Sequence, residues 1–300
     1  MLLPRISMRQ REALDGYLFV CIGAVGFFGL VLGPVIASLV MSFTSWSVLA
    51  APKFIGLNNY RDLIQDELFW VSLRVTSTYV ATSVPLGMAW AFAIAILMNQ
   101  KVKLVSLWRT LYYMPAVVSG VVMSLLWMWV FSPEWGIVND LLARIGIKGP
   151  GWLLDSQWAL PTLILMSMWT AGGSMVIYLA GLQGVPTALY EAASIDGANA
   201  VQRFWHVTVP MMSPVLLFQL VMGIIGSFQV FTPARVATNG GPANATLFYN
   251  FYLYRNAFSF QKMGYASALA WILFLIMLVC TLIVMRQSQS WVYYEGGTPR

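Results

Sequence analysis

Long apolar stretches alternate with short polar or charged segments along the chain. Six of these stretches exceed the roughly 20 residues that a helix needs to cross the hydrocarbon core of a bilayer. A charged side chain in the bilayer centre is costly, so we place each span between the charged residues that bound it. The pattern predicts six membrane-spanning helices, at about residues 17–41, 72–97, 108–131, 160–182, 211–232 and 264–285.

A seventh uncharged stretch covers residues 236–254 and is polar in its first half. It begins with Thr238-Asn239-Gly240-Gly241-Pro242, and asparagine, glycine and proline in succession favour turns. We therefore expect this stretch to form a loop and a short helix outside the bilayer.

Composition agrees with a membrane protein. Hydrophobic residues make up 59% of the 300-residue chain and charged residues only 9%, whereas a soluble domain carries about 25% charged residues. The chain has too few charges to cover a water-facing surface. The predicted fold class is therefore an all-α membrane protein with six transmembrane helices.

Several classes of function find no support in the sequence. Two isolated cysteines, Cys21 and Cys280, and a single histidine, His206, cannot form a metal site, and a disulfide is not expected. No basic run is interleaved with aromatic residues, as nucleic-acid binding would require. No carboxylate lies within a predicted span, so we do not expect a membrane-embedded enzyme.

The distribution of basic residues predicts the orientation. An even number of spans places both termini on one side of the membrane, and the short segments 1–16 and 98–109 carry three basic residues each. Short basic segments stay preferentially in the cytosol, so we predict a multi-pass protein with cytosolic termini. Three regions follow: 1–71, with the N-terminus, first span and outer loop; 72–285, the transmembrane core; and 286–300, a cytosolic tail.

The inner loop of residues 183–210 has an unusual pattern of small and acidic residues. Pro186 suits the start of a helix because its φ angle is fixed, and Gly197 can end a helix in the left-handed conformation. The loop is thus expected to contain a short helix, 187–197, lying across the membrane face. Its small residues let a partner approach and its carboxylates can meet basic groups, although packing on its own bundle would also explain them. The residues concerned are Glu191, Ala192, Ala193, Asp196, Gly197 and Ala198.

This loop resembles the EAA motif of the permease subunits of bacterial ABC importers. The matching positions are Glu191, Ala192, Ala193, Asp196, Gly197, Ala198, Phe204, Pro210 and Pro214. Further stretches are similar to the sugar-uptake permeases of the maltose-importer group, and more to the F-type permease of the usual pair than to the G-type. They are residues 53–60, 109–115, 238–242 and 263–268.

The resemblance implies a type I ABC importer permease fold in which helix 187–197 is a coupling helix docked on a separate ATPase. It also implies the bacterial inner membrane and three kinds of partner: a G-type permease, two ATPase subunits and an extracytoplasmic sugar-binding protein. The chain contains no GxxxxGK[ST] motif, which forms the phosphate-binding loop of many ATPases. We therefore expect no cofactor on this chain, and ATP with magnesium on the partner ATPases.

Polar residues within the fourth and fifth spans are candidates for a substrate pathway, because lipid offers them no hydrogen-bond partner. A sugar needs hydrogen-bonding groups for its hydroxyls and flat apolar surfaces for its C–H faces. Packing between helices would use the same residue types. The candidates are Trp169, Thr170, Gly173, Tyr178, Gln219, Gly223, Ser227 and Gln229.

Two alternatives to a sugar importer stay open. A permease for glycerol-phosphate or another polar solute shares these motifs, but a phosphate ester favours basic residues and the fourth and fifth predicted spans contain none. A secondary transporter or channel is expected to place ionisable residues within its spans. The predicted spans contain only Arg74 and Arg109, both near span ends.

Overall fold

The computed structural model of the chain describes residues 7–47, 50–100 and 103–293. Helices dominate, because a segment in hydrocarbon must satisfy its own backbone hydrogen bonds. The helices are α1 (Met8–Gly26), α2 (Gly33–Ser42), α3 (Asn58–Gln65), α4 (Glu67–Met98), α5 (Val105–Val117), α6 (Gly120–Val130), α7 (Ile137–Arg144), α8 (Ala159–Trp169), α9 (Gly172–Gly184), α10 (Thr187–Ile195), α11 (Ala200–Arg203), α12 (Val209–Phe228), α13 (Tyr249–Tyr254) and α14 (Met263–Ser288).

Four continuous helical stretches are long and apolar enough to cross a membrane. They are Arg11–Ser42, Glu67–Met98, Ala200–Phe228 and Met263–Ser288. They contain the predicted first, second and sixth spans and most of the fifth, 211–232, which extends past the helix end at Phe228. In the first and third of these helical stretches, π-helical turns at Phe27–Leu32 and Phe204–Thr208 join shorter α-helices into one stretch.

The predicted third and fourth spans are each a bent pair of helices. Helices α5 and α6 meet at 102°, and α8 and α9 meet at 48°. Counting each pair as one span gives the predicted total of six. The predicted third span, 108–131, therefore consists of two helices joined at a bend.

The break between α5 and α6 has a local cause. Pro115 lies in the last turn of α5 and cannot donate a backbone hydrogen bond. Val118 is then extended, and Ser119 begins α6 by accepting a hydrogen bond on its side chain from the backbone of Val122. The proline thus ends one helix and the serine cap begins a new one.

The described residues belong to two compact units. The first comprises residues 1–65 and 254–272, and the second comprises 66–253 and 273–300. The predicted N-terminal region and C-terminal tail extend beyond the described residues at 1–6 and 294–300, and the predicted boundaries at 71 and 285 stay predictions.

In the first unit, a buried asparagine holds the chain after α2 in place. Asn59 donates two hydrogen bonds through Nδ2, at 2.7 Å to the backbone oxygen of Ser42 and at 2.9 Å to that of Thr44. Thr44 also lies in the two-residue strand β1 (Thr44–Ser45), which pairs antiparallel with β2 (Lys53–Phe54). Gly264 packs against the same strand, since a Cβ atom there would lie 1.9 Å from the oxygen of Thr44. Two of the motifs that carried the resemblance therefore meet at one point.

In the second unit, α4 packs against α8, α9 and α12. One part of its core is formed by α4, α9 and α12, with Tyr178 and Met212 fully buried. Close approach of α9 and α12 depends on Gly181, where a Cβ atom would lie 2.9 Å from the terminal carbon of Met212.

The stretch 236–254 is more deeply buried than its sequence predicts. Leu247, Phe248 and Tyr249 are fully buried, and the backbone N–H of Tyr249 donates a 2.8 Å hydrogen bond to the hydroxyl of Thr76 on α4. The polar first half forms the turn that folds this apolar second half into the second unit. The expected loop and short helix are present, the helix as α13, and residues 246–249 are buried within the second unit; their place outside the bilayer stays a prediction.

We predict that Asn59→Ala destabilises the protein, because it leaves two buried backbone oxygens without their donor. Each lost hydrogen bond of this kind costs about 1–3 kcal/mol. Thermal unfolding in detergent should show a lower midpoint temperature for this variant. The control is Asn58→Ala at the exposed neighbouring position, which should unfold as the wild type does. Equal midpoints for the two variants would contradict the role given to Asn59.

Candidate functional site

The first candidate site is the loop that contains α10. Pro186 precedes the helix with φ −60°, and the helix ends at Ile195, two residues earlier than predicted. Gly197 has φ +78°, which confirms the predicted left-handed cap. The backbone N–H of Gly197 donates to the oxygen of Ser194 at 3.1 Å, and that of Ala198 donates to Ala193 at 2.9 Å. This pair of bonds is the Schellman arrangement that glycine at this position favours.

Helix α10 lies on the surface, and none of its residues is buried. Apolar side chains in and after it are uncovered: Ile195 is 86% exposed, Val201 66% and Trp205 60%. Glu191 and Asp196 are exposed beside them. A surface that combines uncovered apolar groups with charged ones is typical of a protein–protein contact.

A notch of about 280 Å³ lies between α10 and the helix that follows. An N-terminal capping box at Asn199 and Gln202 fixes the start of that helix, with hydrogen bonds of 2.8 and 2.9 Å. The residues that line the notch are Ala193, Asp196, Gly197, Ala198, Gln202, Arg203, His206 and Val207. The predicted residues Glu191 and Ala192 lie outside the notch on α10.

The second candidate site is a cavity of about 270 Å³ between α4, α8, α9 and α12. None of its lining residues is charged. Four of the predicted pathway residues line it: Thr170, Gln219, Gly223 and Ser227. The other lining residues are Tyr79, Ser83, Val84, Gly87, Met88, Ser167, Ala171, Ser174 and Met222.

Hydrogen bonding within the helices sets what the cavity walls offer a ligand. Ser167 donates its hydroxyl proton to the backbone oxygen of Ile164, and Thr170 donates to that of Ser167. Because a hydroxyl oxygen carries two lone pairs, these two oxygens can each accept a further hydrogen bond. Gln219 supplies a donor, since its buried Nε2 has no hydrogen-bond partner among the described residues.

The other four predicted pathway residues do not line this cavity. Trp169, the last residue of α8, lines a separate aromatic groove together with Met168. Tyr178 is fully buried in the core, with its ring 5.3 Å from that of Phe92. Gln229 lies one residue beyond α12 and is exposed. Gly173 is also absent from the lining.

The contribution of α4 to the cavity was not among the predictions from the sequence. Tyr79, Ser83 and Gly87 recur every four residues and therefore share one face of that helix. This spacing was visible in the second predicted span and would have pointed to the cavity. Ser167 was missed as well, although it lies one turn from Thr170.

No group of three or more histidine, cysteine or carboxylate side chains that could hold a metal ion occurs in the described part of the chain. His206 instead contacts the backbone oxygen of Gln202 through Nδ1 at 2.9 Å.

Several proteins that are similar to this chain are all described as transport permeases. YesP of Bacillus subtilis, described as a probable ABC transporter permease protein, is 43% identical and covers 96% of this chain and 94% of its own length. The lactose transport system permease protein LacF of Rhizobium radiobacter is 34% identical, covering 93% and 95%. The arabinooligosaccharides transport system permease protein AraP of Bacillus subtilis is 32% identical, covering 91% and 88%.

A solved structure has the same fold. A chain of a bacterial ABC transporter involved in importing the acidic polysaccharide alginate matches with a TM-score of 0.83, 24% identity, and coverage of 93% of this chain and 96% of that one. The fold is therefore that of a type I ABC importer permease.

The family model described as "Binding-protein-dependent transport system inner membrane component" matches residues 83–290. This range contains α10 with its cap, and nearly all of the cavity lining. The chain belongs to this family, and it is a permease subunit of an ABC importer and not itself an enzyme.

Proposed function

We propose that this permease carries a mono- or oligosaccharide through the cavity between α4, α8, α9 and α12. The observation that carries the proposal is the character of the walls, which combine hydroxyl and amide groups with apolar surface and hold no charge. The relatives whose names state a cargo include permeases for lactose, arabinooligosaccharides and sulfoquinovosyl glycerol, and a probable permease for starch degradation products.

The pattern of donors and acceptors suits hydroxyl groups. A sugar hydroxyl donates one hydrogen bond and accepts others, so it can pair both with the oxygens of Ser167 and Thr170 and with the Nε2 of Gln219. Val84 and Met222 offer apolar surface for C–H faces. A phosphate ester is an acceptor that favours cationic partners, and the lining contains none. This favours a saccharide over glycerol-phosphate.

Transport requires partners that use the exposed α10. We infer that Glu191, Ala192, Ala193, Asp196, Gly197 and Ala198 form the contact with an ATPase subunit. The complete importer would contain this F-type chain, a G-type permease, two ATPase subunits that bind ATP and magnesium, and an extracytoplasmic binding protein. Both termini and α10 would then face the cytosol.

The mechanism we propose is alternating access. Binding of ATP closes the two ATPase subunits and brings the coupling helices together, which opens the cavity outward; hydrolysis resets it inward. Such coupling requires two states of the permease that the ATPases bind with different affinity. The Schellman cap at Gly197 supports this role, because it gives α10 a defined end.

The direct test is reconstitution in lipid after co-expression with the neighbouring reading frames. We expect a complex with two permeases and two ATPases, whose ATP hydrolysis rises with binding protein and one saccharide from a panel that includes lactose, starch hydrolysate and alginate pentasaccharide. Solute transport by the chain alone without nucleotide would refute the proposal and favour a secondary carrier or channel.

We predict that Glu191→Lys prevents assembly with the ATPases or uncouples hydrolysis from uptake. The change reverses a charge at a contact that becomes buried, and an unpaired buried charge costs about 3–5 kcal/mol. Uptake into membrane vesicles should fall more than 100-fold. The matched control is Glu134→Lys at an exposed position far along the chain, which should transport normally. Normal uptake by Glu191→Lys would contradict the contact.

We predict that Gln219→Leu raises the substrate concentration needed for half-maximal uptake by about tenfold, since it removes one hydrogen-bond donor worth about 0.5–1.5 kcal/mol. Gln183→Leu, at an exposed position near the end of α9, is the control. Initial uptake rates in proteoliposomes measure both. If the two variants have the same half-saturation as the wild type, Gln219 does not contact the saccharide.

A further inference from the structure

A hydrogen bond joins α10 to the base of the helix that lines the cavity. The hydroxyl of Tyr190 lies 3.0 Å from the hydroxyl oxygen of Thr208, and the bond is partly buried. Tyr190 belongs to α10, while Thr208 immediately precedes Val209, the first residue of α12. The bond therefore connects two segments that are separated in sequence by a capped turn and a second helix.

Tyr190 is the residue through which α10 is anchored to the interior. Its ring packs against the buried core that includes Tyr178 and Met212, although no residue of α10 is itself buried. A second bond between the same segments, from Arg203 to the hydroxyl of Ser194 at 2.9 Å, is exposed. Water competes for exposed bonds, so the partly buried Tyr190–Thr208 bond is the firmer connection.

Thr208 is well placed to pass a displacement onward. It is 7% exposed, and it ends the π-helical turn within the continuous helix Ala200–Phe228. Gln219 lies eleven residues further on, which is about 16 Å along a helix that rises 1.5 Å per residue. The stretch between them is helical throughout, with Pro214 inside α12, so a movement of Thr208 is passed along this helix toward the Gln219 wall of the cavity.

We infer that Tyr190 is a positioning residue that transmits movement of α10 to the cavity wall through its hydrogen bond to Thr208. This inference rests on the proposed function, in which α10 contacts the ATPase. The ring of Tyr190 holds α10 against the core. Its hydroxyl bond to Thr208 makes α12 follow when α10 moves. Removing the hydroxyl alone leaves the ring packing intact and disconnects the two movements.

The test is a double-mutant cycle with Tyr190→Phe and Thr208→Val in the complete reconstituted complex. Saccharide uptake per ATP hydrolysed should fall about 3- to 10-fold in each single variant, the effect of losing one hydrogen bond. The double variant should be no worse than either single one, because the two side chains act as a unit. Subunit composition and basal ATP hydrolysis should be those of the wild type, whereas stimulation by binding protein should weaken.

Two control variants remove the same kinds of hydroxyl group at positions away from the Tyr190–Thr208 hydrogen bond. Tyr17→Phe removes a phenol hydroxyl from a residue that is 76% exposed, and Thr110→Val removes a hydroxyl that bonds only within its own exposed helix turn. Both should keep the wild-type ratio of uptake to hydrolysis.

Three results would overturn the inference: an unchanged ratio in both single variants, losses that add in the double variant, or loss of complex assembly in both single variants, which would mean a structural role only. If the wild-type complex takes up no saccharide with ATP, the proposed function fails and the inference fails with it. ATP-dependent uptake by the wild type with unchanged variants refutes the inference alone.

Discussion

Backbone hydrogen bonding inside lipid is the constraint on which the rest of this structure depends. Hydrocarbon offers no partner to an N–H or C=O group, so spans are helical and depart from a straight helix only where the protein supplies other partners. One such departure separates α8 from α9. There the chain turns at Thr170 and Ala171, and both residues line the cavity. The break is possible because α5 approaches closely: a Cβ atom at Gly172 would lie 2.2 Å from the oxygen of Tyr112. At the break between α8 and α9, Thr170 and Ala171 thus join the cavity wall, and the next residue, Gly172, packs tightly against α5.

The two candidate sites lie on connected elements. The stretch Ala200–Phe228 is helical throughout, with the α10 loop attached at one end and the cavity lined by its middle and far parts. Its π-helical turn at Phe204–Thr208 turns Phe204 onto the core, where its ring lies 6.1 Å from that of Phe92. Because interiors are close-packed, a displacement at this point cannot be absorbed locally and must shift neighbouring elements. The surface loop and the cavity wall are thus joined by one continuous helical stretch.

The sequence was sufficient for features that depend on local chemistry. Charge placement located the four continuous spans, and the glycine at 197 predicted the left-handed cap that the structure contains. Features that depend on which helix faces which were not predictable in this way. Tyr178 and Gln219 are both polar residues within spans, yet one is fully buried against Phe92 and the other lines the cavity. Polarity within a span indicates that a side chain needs a partner, and only packing decides whether that partner is another helix or a ligand.

The buried amide of Gln219 shows what the cavity walls offer a solute. A buried donor without an acceptor costs about 1–3 kcal/mol, and Ser167 and Thr170 donate their hydroxyl protons to backbone oxygens of their own helical turns. The walls therefore combine acceptor oxygens with the unpaired donor of Gln219. The buried hydroxyl of Tyr178 in the core also lacks a partner among the described residues, so the cavity is distinguished by polar groups that line open space. A passage must leave its polar groups free to bind a solute, and must hold the solute weakly enough to release it. An uncharged wall with single hydrogen bonds meets both conditions, because each contact is modest and none requires a buried ion to be stripped of its partner.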